Sequence, residues 1–188
     1  MSTRPDPRLA RTRVRALSAA YELLLERGVG QVTVDELSER SGVSKSTIYR
    51  HWPSLDELLS EAFSTHALSA AGAGADLPRS LQAYATAIAA GLEQVWGRAA
   101  ASLAVTAIDD PEQRQAQQMW MRGLREDLRR LVDSAVARGE VVREPDTDRV
   151  LERLLAALFH RYLFSQDPLD SRFVTAEVRH ALTHLRAP

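Results

Sequence analysis

Cysteine is missing from all 188 residues, which excludes disulfides and any metal site built on thiolates. No apolar run approaches the length of a membrane span. The first fifteen residues, MSTRPDPRLARTRVR, are basic and lack the apolar core of a secretory leader. These absences lead to the expectation of a cytoplasmic chain with no membrane partner. There is also no Gly-rich phosphate loop and no nucleophile elbow, so neither an enzyme nor a cofactor is expected. No segment alternates polar and apolar residues as a half-buried strand does, and no internal repeat is present. Lysine is almost missing too: Lys45 is the only one, and the other 23 basic residues are arginine.

What remains reads as helix throughout, an all-α chain of about nine helices. The overall charge of −1 looks poor for a polyanion partner, but it is unevenly distributed. Residues 1–53 hold nine basic against six acidic side chains, and residues 54–188 hold fifteen against nineteen. Local charge governs attraction to phosphate, so the first segment stands out.

That segment carries TVDELSERSGVSKSTIYRHWPSLDELL, residues 33–59. Thr33 with Glu36 forms a capping box that starts a helix, and Leu37 is its first apolar anchor. Gly42 supplies the turn, Val43 plugs the angle, and Ser44 caps the next helix, Lys45 to His51. Only Ile48 there is plainly a core residue. Lys45, Ser46, Thr47, Tyr49, Arg50 and His51 make a surface far too polar for a helix that only packs. A short helix anchored on one side and covered in donors on the other suits a DNA major groove. Ahead of it, Pro7 to Arg27 is expected to be helical, with Val14, Leu17, Ala20, Tyr21 and Leu24 on its apolar stripe and Gly28 as cap. Arg4, Arg8 and Arg11 form a basic arm, for which a solvated tail and a DNA contact are both open.

GVSKSTIYRHWPSLDELL closely resembles the recognition helix and following helix of the tetracycline-repressor (TetR) family of bacterial transcription regulators. ALSAAYELLLERGVGQVTVDELSERSGVS resembles that family's first two helices. The resemblance implies a three-helix DNA-binding domain with a helix-turn-helix, residues 1–53, and a larger helical domain, residues 54–188, for ligand binding and dimerisation. It implies a homodimer on double-stranded DNA, on a palindromic operator, acting as a repressor released by a small-molecule inducer. Thr33, Thr47, Tyr49 and His51 match family positions that hold phosphates, while Lys45 or Arg50 can donate to guanine O6 and N7. Ser44 and Ser46 complete the DNA-facing set. Where the family often has Lys just after the cap of the fourth helix, this chain has Leu55, which leaves only backbone amides for an anion. Trp52, where the family usually has Phe or Tyr, is expected to be a core plug.

The larger domain offers Phe63, Tyr84, Trp96, Met119, Trp120 and Phe159 as lining candidates, with His160 and Arg161 as polar handles. Such residues are more often core than pocket. Helices are expected over Arg79–Trp96, then, after an interruption at Gly97, over Ala99–Ile108, from Pro111 to Arg138, from Asp148 to Ser165, and from Ser171 to Arg186. The helix with Leu151, Leu154, Leu155, Leu158, Phe159, Leu163 and Phe164 is apolar nearly all round, which favours burial at a dimer seam over the core of a monomer. Its sequence through HAL also resembles the C-terminal end of some TetR-type regulators, where the last two helices pair with their copies. His180 and His184 stand four apart with Glu177 one turn before, but the zinc-protease Glu is missing, so surface or seam histidines are expected and no metal. Two rival functions remain: a DNA-binding scaffold without ligand control, and a helical interaction protein.

Overall fold

The computed structural model describes residues 7–27, 31–70, 72, 75–142 and 146–185, and every regular element among them is helical. The helices are α1 (Pro7–Arg27), α2 (Val34–Ser41), α3 (Lys45–His51), α4 (Leu55–Ala70), α5 (Leu77–Gly91), α6 (Gly97–Asp109), α7 (Pro111–Ala137), α8 (Thr147–His160) and α9 (Ser171–Leu185). The chain divides into two compact units, Met1–His66 and Ala67–Pro188. No described helix is long and apolar enough to cross a membrane.

The first unit packs α1, α2, α3 and the first part of α4 around a small aliphatic core. Ala16, Leu17, Ala20, Leu23 and Leu24 of α1 are buried, as are Leu37, Val43, Ile48, Leu58 and Leu59. Val14 is 62% exposed although its spacing placed it on the stripe. The stripe is centred on Ala16, Ala20 and Leu23, and at about 100° per residue Val14 points well away from that centre. Thr33 closes the capping box in both directions with Glu36. Gly42 needs its glycine for a φ of +62°, and the Arg15 guanidinium that donates to the Ser41 carbonyl lies close over it.

The second unit buries one face from each of α5, α7, α8 and α9: Leu81, Tyr84 and Ile88; Leu124, Leu128 and Val132; Leu151, Leu154, Leu155 and Leu158; Val174, Val178 and Ala181. Helix α9 packs on both α5 and α8, and α6 lies along α7. Asp110 caps α7 by accepting from the amides of Glu112 and Gln113, with Pro111 at the first turn. Gly139, at φ +74°, follows its end.

One expectation changes here. Gly97 does not interrupt the helix. The chain runs from α5 through a π-turn, Leu92–Trp96, directly into α6. A Cβ on Gly97 would collide with the Leu92 carbonyl and the Tyr162 ring, so the glycine serves close approach rather than a break. A second π-turn, Arg161–Ser165, ends α8, and such turns each hold one extra residue in the helix. Within this chain α8 and the π-turn after it leave one side open: Glu152, Arg153, Ala156, His160 and Phe164 are exposed, Phe164 by 76%. The expected roles of Arg4 and Gly28 and the helix end at Arg186 lie outside the described residues.

Candidate nucleic-acid interface

Helix α3 is held from one side and at both ends. Ile48 is buried in the core of the unit. At the start, Ser44 accepts from the Thr47 amide at 3.3 Å, and its hydroxyl lies 3.1 Å from that of Ser46 and 2.9 Å from that of Thr47. The preceding turn is tied by the Ser38 hydroxyl donating to the Val43 carbonyl at 2.8 Å. At the other end, the Trp52 amide donates back to Ile48.

The opposite side of α3 is open. Ser44, Lys45, Ser46, Tyr49 and Arg50 are exposed, with Tyr49 at 51%. Thr47 is half-buried and its hydroxyl already meets the cap. His51 is turned inward, its Nε2 enclosed and without a hydrogen-bond partner, its ring 5.6 Å from that of Trp52. Thr33 is exposed beside α2, its hydroxyl donating to Glu36 at 3.0 Å. The Lys45 ammonium pairs with the Asp35 carboxylate of α2.

Behind α3 lies a junction that spacing alone does not reveal. Trp52 is buried, as expected of a plug, and its indole N–H donates to Glu61 of α4 at 2.8 Å. Arg13 of α1 donates to both oxygens of the same carboxylate at 2.5 Å, and its guanidinium sits 5.1 Å from the Trp52 ring centre. One acid thereby joins three helices. Arg13 and Glu61 are 48 residues apart, so no local pattern links them.

The lining candidates fall into separate places. Trp96, Trp120 and Phe159 come together, with ring centres 4.9, 5.8 and 5.5 Å apart. Tyr84 is fully buried elsewhere in the same unit, donating to Asp127 at 3.0 Å, and burial followed by the Asp127 charge pushes its phenol up. Asp127, also fully buried, accepts from Arg130 at 2.5 Å. Met119 is exposed. His160 lies beside Phe164, and Arg161 lies over Phe173 while donating to the Pro168 carbonyl at 2.9 Å. Phe63 belongs to the first unit. His180 and His184 meet edge to face at 5.0 Å. Among the described residues no three His, Asp or Glu side chains converge as a metal would need.

Residues 16–62 match the family model described as bacterial regulatory proteins, tetR family. Residues 74–181 match the one described as tetracyclin repressor-like, C-terminal domain. The helix-turn-helix-type transcriptional regulator YdeS of Bacillus subtilis is 27% identical over 190 residues, covering 99% of this chain and 96% of its own. The helix-turn-helix-type regulator AqdR of Rhodococcus erythropolis is 28% identical over 167 residues, 85% of this chain and 78% of its own. Among solved structures, the TetR family transcription regulator SCO0332 superposes with a TM-score of 0.66 at 28% identity, over 95% of this chain and all of that one.

Proposed function

The chain belongs to the tetR family of bacterial regulatory proteins, DNA-binding transcription regulators rather than enzymes, and from that premise we propose that it is a dimeric repressor released from a palindromic operator by a small, mainly apolar ligand. In this proposal residues 1–53 read DNA and residues 54–188 bind the ligand and dimerise. The observation that carries the DNA part is the one-sided anchoring of α3, with Ile48 buried and Lys45, Ser46, Tyr49 and Arg50 presented together. Lys45 or Arg50 reaches for a guanine edge, and Ser46 is small enough to let the helix approach the bases. Thr33, Thr47, Tyr49 and His51 serve the phosphates, with Ser44 beside them at the start of the helix.

Support for a homodimer comes from α8. Its outward stripe, Arg153, Ala156, His160 and Phe164, includes a large ring that a lone chain leaves in water. Trp96, Trp120 and Phe159 are the strongest candidates for meeting an apolar ligand, with Phe63, Tyr84, Met119, His160 and Arg161 as the remaining proposed set. Tyr84 would have to give up Asp127 to take part.

Selection from a random duplex library, followed by a gel shift with a compound panel, tests both halves. A palindrome and its loss on adding one compound are expected. A ligand shifts the dimer only by its differential affinity for the two states, so operator DNA must weaken that compound's binding by the same factor. Recovery of no sequence sinks the DNA role; a palindrome that no bound compound dislodges leaves a constitutive DNA-binding scaffold.

A further inference from the structure

Asp35 directs its charge at the recognition helix itself. It is the second residue of α2, and its carboxylate pairs with the ammonium of Lys45, the first residue of α3. Four other acids of the unit turn elsewhere: Glu22 and Glu26 to Arg40, Glu36 to Arg27, Glu61 to Arg13. The Asp35–Lys45 pair is open to water, with side chains 69% and 52% exposed, and Lys45 shares its face with Ser46 and Tyr49.

A carboxylate in that place does two things to an approaching duplex. It repels phosphate, and it orients the ammonium. A free lysine is a flexible point charge that meets whichever phosphate lies within reach, whatever the sequence. An ammonium carries three donors, so a lysine held by a carboxylate can still meet guanine O6 and N7 within its reach, whereas leaving for a phosphate costs it that pair. Building on the reading that α3 enters the major groove, we propose that Asp35 is a positioning residue for sequence specificity: it withholds Lys45 from phosphates and keeps it aligned for a base edge. Discrimination then comes from penalising the wrong DNA as much as from favouring the right one.

The test compares the wild-type chain, Asp35→Asn, Lys45→Ala and the double variant on two duplexes of equal length. One is the sequence that wild type recovers from a random library, and the other is its scramble. Asp35→Asn is expected to tighten binding to the scramble about three- to fivefold, the scale that an exposed ion pair can hold back. Its salt dependence should steepen by about one phosphate contact. Binding to the recovered duplex should change less, so the ratio between the two falls. With Lys45→Ala in place, the Asp35 change should no longer move that ratio, because Asp35 acts through the lysine. Asp35→Glu, which keeps the charge, should restore it. An unchanged ratio, or an equal change with and without Lys45, overturns the proposal in favour of plain charge repulsion. Should wild type recover no sequence at all, the groove-reading role fails and takes this one with it; a recovered palindrome with an unmoved ratio removes Asp35 alone.

Discussion

Tyr49 and Lys45 share the open face of α3, yet their reach differs. Tyr49 ends in a single hydroxyl suited to a phosphate oxygen. Tyr49→Phe should therefore weaken binding to the recovered operator and to unrelated duplex by a similar factor. Lys45→Ala should cost on the order of 1–3 kcal/mol and relax preference at one base pair per half-site. A repeat of the library selection with each variant reads the difference, and an even loss across all sequences for Lys45→Ala removes its base-reading role. Gly97 presents a residue-scale constraint of another kind. Gly97→Ala drives a methyl into the Tyr162 ring and the Leu92 carbonyl, and overpacking of that sort costs roughly 1–3 kcal/mol. The urea midpoint should fall; an unchanged midpoint would mean that the π-turn relaxes freely.

Elements are joined by a few acids. Glu61 of α4 holds Arg13 of α1 and the indole of Trp52 behind α3. Glu61→Ala strands a part-buried N–H and removes the ion pair, a loss of about 1–3 kcal/mol. Glu61→Gln, which keeps an acceptor for the indole, should lose less. Thermal melts order the two variants, and a Gln variant as damaged as the Ala variant would assign the effect to Arg13 instead. Glu140, after α7, accepts from Arg138 at 2.6 Å and from the Leu77 amide at the start of α5 at 2.8 Å. Those bonds, the Arg138 one first, hold its carboxyl below the usual range. A group with a lowered folded pKa stabilises above its unfolded value and loses that contribution as pH falls through the folded one. Stability should decline on acidification below the ordinary glutamate range, and Glu140→Gln should flatten part of that decline.

For the whole molecule, the proposed function makes binding a matter of two copies. One seven-residue helix offers too few contacts, so two related by a two-fold axis should read inverted half-sites. Sedimentation at micromolar protein should give a dimer, and operator affinity should fall steeply with salt. Phe164→Asp, which places a charge on the exposed stripe of α8, should shift the species to monomer while leaving the helical content intact. A dimer that persists in this variant places the seam elsewhere.

The helix-turn-helix was legible in the sequence because its signals are local. The Thr33–Glu36 box, Gly42, the Ser44 cap and the lone apolar Ile48 each act within a few residues, and all of them are found in place. The all-helical class and the Asp110–Pro111 start of α7 followed likewise from short-range rules, while the burial of Trp52 was implied by the family resemblance. Tertiary structure decided what depends on neighbours distant in the chain. Gly97 looks like a breaker in sequence, but the ring of Tyr162, 65 residues later, is what requires it. The apolar residues of α8 divide into buried and exposed faces only once α9 and α5 have packed against it. Tyr84 and Trp96 are alike in sequence as aromatic lining candidates on one expected helix. Asp127 claims the first, while Trp120 and Phe159 gather around the second, because side-chain meetings across helices are set by packing and not by period.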